Sequence, residues 1–225
     1  MTVTVRLFAS YREAVGAREL SLELPDGTSV GQLLATLAER HPRLRDLARS
    51  ATFAVNRQYV SADALLRPGD EVVLLPPVAG GAEPSAGPKR FEVVSGEVSP
   101  AAVSAKVAYP GAGAVVVFTG VVREFSNGGR PVTHLEYEAY PEMAEEQMAA
   151  IAEEIRAKWG LEVEHVAMTH RVGRLAVGEV AVAIAVASPH RREGFAACQY
   201  AIDRIKGIVP IWKKEIGPDG AEWVE

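Results

Sequence analysis

Apolar and polar positions recur with definite periods along most of this chain. Thr2–Phe8 alternates, with Val3, Val5 and Leu7 on one face, which predicts a half-buried strand. Ser10–Gly16 reads as a short helical turn closed by glycine. Glu19–Leu24 alternates again through Leu20, Leu22 and Leu24, and Pro25-Asp26-Gly27-Thr28 makes a turn. Ser29 and Gln32 have capping-box spacing, and Val30, Leu33, Leu34 and Leu37 share one helical face. That helix should stop near His41, because Pro42 disfavours helix in the residue before it. Phe53–Val60 reads as a hairpin, Leu66–Asp70 as a turn, and Glu71–Leu75 as a last strand.

A second series starts at Phe91. Phe91–Val94 is strand-like, and Ser99-Pro100 can open a short helix with proline at its first position. Gly113–Val122 is so continuously apolar that burial on both faces is expected. Residues 123–131 form a polar, glycine-rich loop. Val132–Tyr140 alternates Leu135, Tyr137 and Ala139 against His134, Glu136 and Glu138. Pro141 opens a helix carrying Met143, Met148, Ile151 and Ile155, which Gly160 closes after Trp159. Strands follow over 161–171 and 179–187. A final helix over about Arg192–Ile208 has Phe195, Cys198, Ile202 and Ile205 as its stripe, and a short terminal strand ends the chain.

Between the two series lies Pro76-Pro77-Val78-Ala79-Gly80-Gly81, then 82–90, a small, polar, proline-broken spacer. The plain reading is a linker. The sharper one is that Gly81 is a C-terminus in waiting, since a paired glycine without side chains can slide into a narrow enzyme pocket. The organisation read here is 1–81, linker 82–90, and 91–225.

Composition narrows the function classes. The 225 residues are 48% hydrophobic and 24% charged, as in ordinary globular proteins. No apolar run is long enough for a membrane span, and no apolar core of a signal peptide follows Met1, so a cytoplasmic location is expected. Residues 1–81 carry nine Arg, no Lys and nine acids; residues 82–225 carry fifteen cations against twenty acids. The acidic second part argues against nucleic-acid binding and makes local cation clusters worth explaining. A single cysteine, Cys198, excludes an internal disulfide, and no Cys/His spacing suits zinc. Cys198 lies on an apolar stripe, where packing outweighs a nucleophilic role.

The order strand, strand, long helix, short strands, strand, Gly-Gly is that of a β-grasp, ubiquitin-like domain. With Leu66-Arg67-Pro68-Gly69-Asp70-Glu71-Val72 and the closing Gly80-Gly81, residues 1–81 resemble the sulfur-carrying small subunit of molybdopterin synthase. Residues 91–223 resemble its large, catalytic subunit. The resemblance lies in Phe118–Arg123, Leu135–Tyr140, His170-Arg171-Val172-Gly173, Ser188-Pro189-His190-Arg191, and Lys206 through Pro210–Glu215. The expected fold class is α+β, a β-grasp domain followed by an α/β hammerhead-like catalytic domain.

The resemblance implies two sulfurs moved from a glycine thiocarboxylate onto cyclic pyranopterin monophosphate, making a dithiolene. Such a pocket needs fixed cations for phosphate and groups that move protons. Arg123, at a strand end, suits bidentate phosphate contact; the ordinary alternative is a surface arginine paired with Glu124. His190 and Arg191 open the last helix, where an anion gains from the helix terminus, the alternative being a solvated cap. The resemblance makes Lys206 and Lys213 the leading catalytic pair, with Lys206 first. A desolvated Lys206 stem beside a cleft would suit acid–base or nucleophilic work; the alternative is an ion pair with Asp203. Lys214 is expected to be solvated or to help at the phosphate, and His170-Arg171 to be strand-end structure, the alternative being a direct substrate role.

No cofactor is expected to be tightly bound, and no phosphate-loop motif is present, so ATP would be used by a separate adenylating and sulfurating enzyme. A processing protease is expected, because an internal Gly81 has no carboxylate to charge. The family implies a homodimer through the catalytic domain. The rival reading is a non-carrier docking module fused to a scaffold.

Overall fold

The structure is a computed structural model that describes residues 1–47, 51–75 and 89–224. Gly80, Gly81 and residues 82–88 of the spacer lie outside the described residues. The chain divides into two compact units, Met1–Gly81 and Ala82–Glu225.

The first unit runs β1 (Thr2–Leu7), α1 (Ala9–Val15), β2 (Glu19–Glu23), α2 (Val30–Arg40), α3 (Leu44–Leu47), β3 (Thr52–Val55), β4 (Gln58–Val60) and β5 (Glu71–Leu75). Its sheet has the order β2-β1-β5-β3-β4, with β1 parallel to β5 and antiparallel to β2. This is the β-grasp arrangement. The capping box forms: the Gln32 N–H donates to Ser29 Oγ at 3.3 Å and the Ser29 N–H to Gln32 Oε1 at 2.8 Å. The apolar face of α2 (Val30, Leu33, Leu34, Leu37) is buried against Val3, Val5, Leu7 and Leu74. The short α3 goes beyond the sequence reading.

The second unit runs β6 (Phe91–Val94), α4 (Pro100–Ala105), β7 (Ala114–Val121), β8 (His134–Ala139), α5 (Pro141–Trp159), β9 (Val166–Arg171), β10 (Gly173–Ala176), β11 (Val180–Ser188), α6 (Arg191–Ile208), β12 (Ile211–Gly217) and β13 (Gly220–Val224). One sheet has the order β6-β9-β11-β7, the other β10-β8-β12-β13. Helices α5 and α6 bury Ile151, Ile155, Ala197, Cys198, Ala201 and Ile205 against Met168, Ile184 and Val186. Val98, Val103 and Val107, on and around α4, cover Ala167, Ala183, Ala185 and Ala187 on the other face. Arg204 clamps α6 to α5, with Nε and Nη2 donating to the two carboxylate oxygens of Glu154 at 2.8 and 2.7 Å.

Three expectations need correction. The central β11, not β7, is buried along its length. β7 ends the sheet: Val116 and Phe118 pack towards α6, while Val115, Val117 and Val121 are exposed. Apolar continuity does not reveal which strand has neighbours on both sides. Residues 161–171 are not one strand, because a 3-10 turn at Val163–His165 precedes β9. Phe195 is 63% exposed although it has stripe spacing.

Candidate active site

Lys213 is the best-placed of the expected site residues. Successive strand residues point to opposite faces, so Lys213 and Glu215 share one face of β12 and Lys214 takes the other. Lys213 Nζ donates to Glu215 Oε1 at 2.9 Å, with the Lys213 side chain 27% and the Glu215 side chain 8% exposed. A buried carboxylate thus fixes a half-buried ammonium. Glu215 had no role in the sequence reading; the two-residue spacing was legible, its burial was not. Lys214 lies over the Trp223 ring at 5.4 Å, on the opposite face from Lys213.

Lys206 stands on the last turn of α6 and is exposed rather than partly desolvated. Among the described residues no ion pair joins it to Asp203. At 100° per residue Phe195, Ile202 and Lys206 fall on one flank of α6, within about 40° of each other. The lysine therefore borders an apolar strip that ends in an exposed phenylalanine.

Arg123 lies just past β7. It is exposed, and its Nη2 donates to Asn127 Oδ1 at 2.7 Å, so the loop's own asparagine holds the guanidinium and not Glu124. His190 caps α6 and Arg191 is its first residue; both side chains are exposed. Their backbone is fixed from below. Buried Ser188 donates through Oγ to the His190 carbonyl at 2.8 Å. A Cβ on Gly194 would meet that Oγ at 2.7 Å, and one on Gly113 would meet the Pro189 carbonyl oxygen at 2.2 Å. Only glycine lets the first turn of α6 and the start of β7 come this close.

The register divides these residues into two groups. β7 and β11 are antiparallel, with Ala114 opposite Ser188 and Val121 opposite Val180. Arg123 and His190 therefore leave opposite ends of the strand pair, roughly 20 Å or more apart. Helix α6 packs back along β11 and β7, and Arg191 and Lys206 lie roughly 22 Å apart along its axis. One chain thus holds Arg123 and the C-terminal end of α6 towards one end of the sheet, and His190 with Arg191 at the other.

His170 is buried on β9. Its Nδ1–H donates to the Arg171 carbonyl at 2.9 Å, and its ring meets Tyr137 edge-on with centroids 5.0 Å apart. Burial pulls its pKa from 6.5 down to about 4, against the raising effect of the carbonyl. The unfolded chain therefore takes up a proton below pH 6.5 that the folded chain refuses until about pH 4. The contribution is fully present above pH 6.5, is lost as pH falls through about 4, and amounts to at most about 3 kcal/mol. Urea unfolding across this window should show that slope, and His170→Phe should remove it; an unchanged slope would place the titrating group elsewhere. Burial pushes the Cys198 thiol up to about 11, which fits packing and not nucleophilic chemistry. Among the described residues no group of His, Cys, Asp and Glu could hold a metal ion, and no helix is long and apolar enough to cross a membrane.

Comparison with known proteins covers both units. The family described as MoaE protein matches residues 93–208, and the ThiS family matches residues 5–81. The molybdopterin synthase catalytic subunit of Staphylococcus carnosus is 51% identical over 136 residues, covering 60% of this chain and 89% of that protein. That of Bacillus subtilis is 50% identical over 136 residues, covering 60% and 85%. The crystal structure of molybdopterin synthase from Staphylococcus aureus matches with 46% identity and a TM-score of 0.57, covering 62% of this chain and 99% of that one. The chain belongs to the MoaE family and carries a ThiS-family domain on the same polypeptide.

Proposed function

We propose that this chain is a sulfurtransferase of molybdenum cofactor biosynthesis, a molybdopterin synthase that carries its own sulfur donor. Gly81, once freed from Ala82 and charged as a thiocarboxylate by an ATP-using enzyme, supplies sulfur to cyclic pyranopterin monophosphate. Two charged carriers are consumed for each dithiolene. The observation that carries the reading is the pairing of a ThiS-family domain whose match ends at Gly81 with a MoaE-family domain holding Lys213 on buried Glu215. Lys206 and Lys213 move protons at the reacting carbons, while Arg123, His190 and Arg191 hold the phosphate.

With Arg123 and His190 both on one phosphate, the two-ended arrangement calls for a second copy. β7 is an edge strand with Val115, Val117 and Val121 exposed, the kind of surface that a homodimer covers. A two-fold axis beside β7 would run the partner's β7 antiparallel to it. That places Arg123 of one protomer alongside the Ser188–Arg191 junction of the other. Each pocket would then take Arg123, Lys206 and Lys213 from one chain and His190 with Arg191 from its partner.

Mixing inactive variants tests this. Arg123→Ala and Arg191→Ala should each be nearly inactive at low substrate. A mixture dissociated and reassociated at equal amounts should recover about a quarter of the wild-type rate, because half the dimers are mixed and each has one complete site. No recovery beyond the sum of the parents would mean that the site is built within one chain.

A further inference from the structure

The face of β12 that carries Lys213 and Glu215 also faces a tyrosine without an assigned role. Tyr137 on β8 stands directly opposite Lys213, and Glu215 stands opposite Leu135 on that same face. On the other side of Tyr137 the partner in β10 is Gly173, which offers no side chain. His170 from the neighbouring sheet meets the ring edge-on at 5.0 Å. The ring is thus held in place, half-buried beside Leu135 and Leu175. Its hydroxyl is not so held: among the described residues nothing hydrogen-bonds to it, yet it is not among the buried polar atoms left without a partner. A rigid phenol with a solvent-reachable, uncommitted hydroxyl next to a fixed lysine is arranged as a ligand contact.

We propose that Tyr137 is a substrate-binding residue whose hydroxyl donates a hydrogen bond to an oxygen acceptor of the substrate bound at Lys213. This rests on the reading of the Lys213–Glu215 pair as part of the active site. Burial, and secondarily the negative charge of Glu215, push the phenol up to about 12, so it remains a donor throughout the working pH range. Lys213 supplies charge and Tyr137 a neutral directional bond.

Tyr137→Phe in the full chain, processed and charged, keeps the ring and its contact with His170 and removes only the hydroxyl. With cyclic pyranopterin monophosphate as substrate and an excess of separately charged 1–81 replacing the carriers consumed, KM should rise about five- to tenfold, as for one lost hydrogen bond, with kcat within about twofold. Its unfolding midpoint should match wild type. Tyr137→Leu, which also removes the ring, should show the same KM defect and lower stability. If Tyr137→Phe has wild-type KM while only Tyr137→Leu is impaired, the residue merely packs and the inference is wrong. If the wild-type chain itself fails to turn over this substrate when charged, the reading of the whole site falls, and the inference with it.

Discussion

Lys206→Ala should lower product formation by about two to three orders of magnitude, the range expected when a group that moves a proton in the transition state is lost. Stability should be nearly untouched, because exposed substitutions away from packed features stay within about 0.5 kcal/mol. Lys206 is exposed on α6 and has no ion pair with Asp203 among the described residues, so the substitution leaves no stranded partner. Lys213→Ala is a less clean experiment: it leaves Glu215 buried without its ammonium, which costs about 1–3 kcal/mol in addition to any catalytic loss. The assay supplies authentic thiocarboxylated 1–81 fragment and the pterin substrate to the purified variant, bypassing processing. A dithiolene yield near wild type would remove Lys206 from the mechanism.

The second large effect is expected at the junction. In the proposed reaction sulfur is loaded on a free glycine carboxylate, which calls for the Gly81–Ala82 bond to be cut first. The residues 82–90 can reach at most about 30 Å when extended, so an uncut tail has a short tether as well as a blocked carboxyl. Their small, polar, proline-broken sequence is of the kind proteases cleave. The proposal gives this cut to a separate protease. Gly81→Ile puts a bulky β-branched side chain at the cleavage position and at the end of the tail. The full-length variant should accumulate uncut and make essentially no molybdopterin in its host. Adding separately made, charged wild-type 1–81 should restore no more than the access left to an incoming tail. Normal product from the variant in its host would show that neither cleavage nor a narrow tail is needed.

Much of the architecture was written locally. Ser29 and Gln32 define the start of α2 because both cap bonds lie within one turn, and Pro141 with Gly160 bracket α5 because each acts on its own backbone. Leu33, Leu37, Ile202 and Ile205 follow helical periods that only their own helix sets. What stayed hidden depends on neighbours distant in sequence. Gly113–Val122 is apolar whether central or at an edge, so the exposure of Val115 and Val117 could not be read from it. Phe195 has core spacing, yet it lies on the border of the α6 stripe, on the flank of Lys206. β10, four residues with glycine at its start, is too short for its alternation to stand out, and its pairing with β8 decides what surrounds Tyr137. The candidate site could be proposed from residue types, but its geometry could not. That Arg123 and His190 sit at opposite ends follows only from Val121 meeting Val180 and Ala114 meeting Ser188. That Lys213 is anchored depends on the burial of Glu215.

The central claim is that one gene product supplies both the sulfur carrier and the enzyme that uses it. Intact-mass spectrometry of the protein purified from its own host tests this most directly. Two products should be found, 1–81 and 82–225. After incubation with the adenylating and sulfurating enzyme, ATP and a sulfide-level sulfur donor, the first should gain the mass difference between sulfur and oxygen, and lose it again when cyclic pyranopterin monophosphate is added. An unprocessed 225-residue chain that makes molybdopterin at a normal rate with its Gly81–Ala82 bond intact would contradict the account.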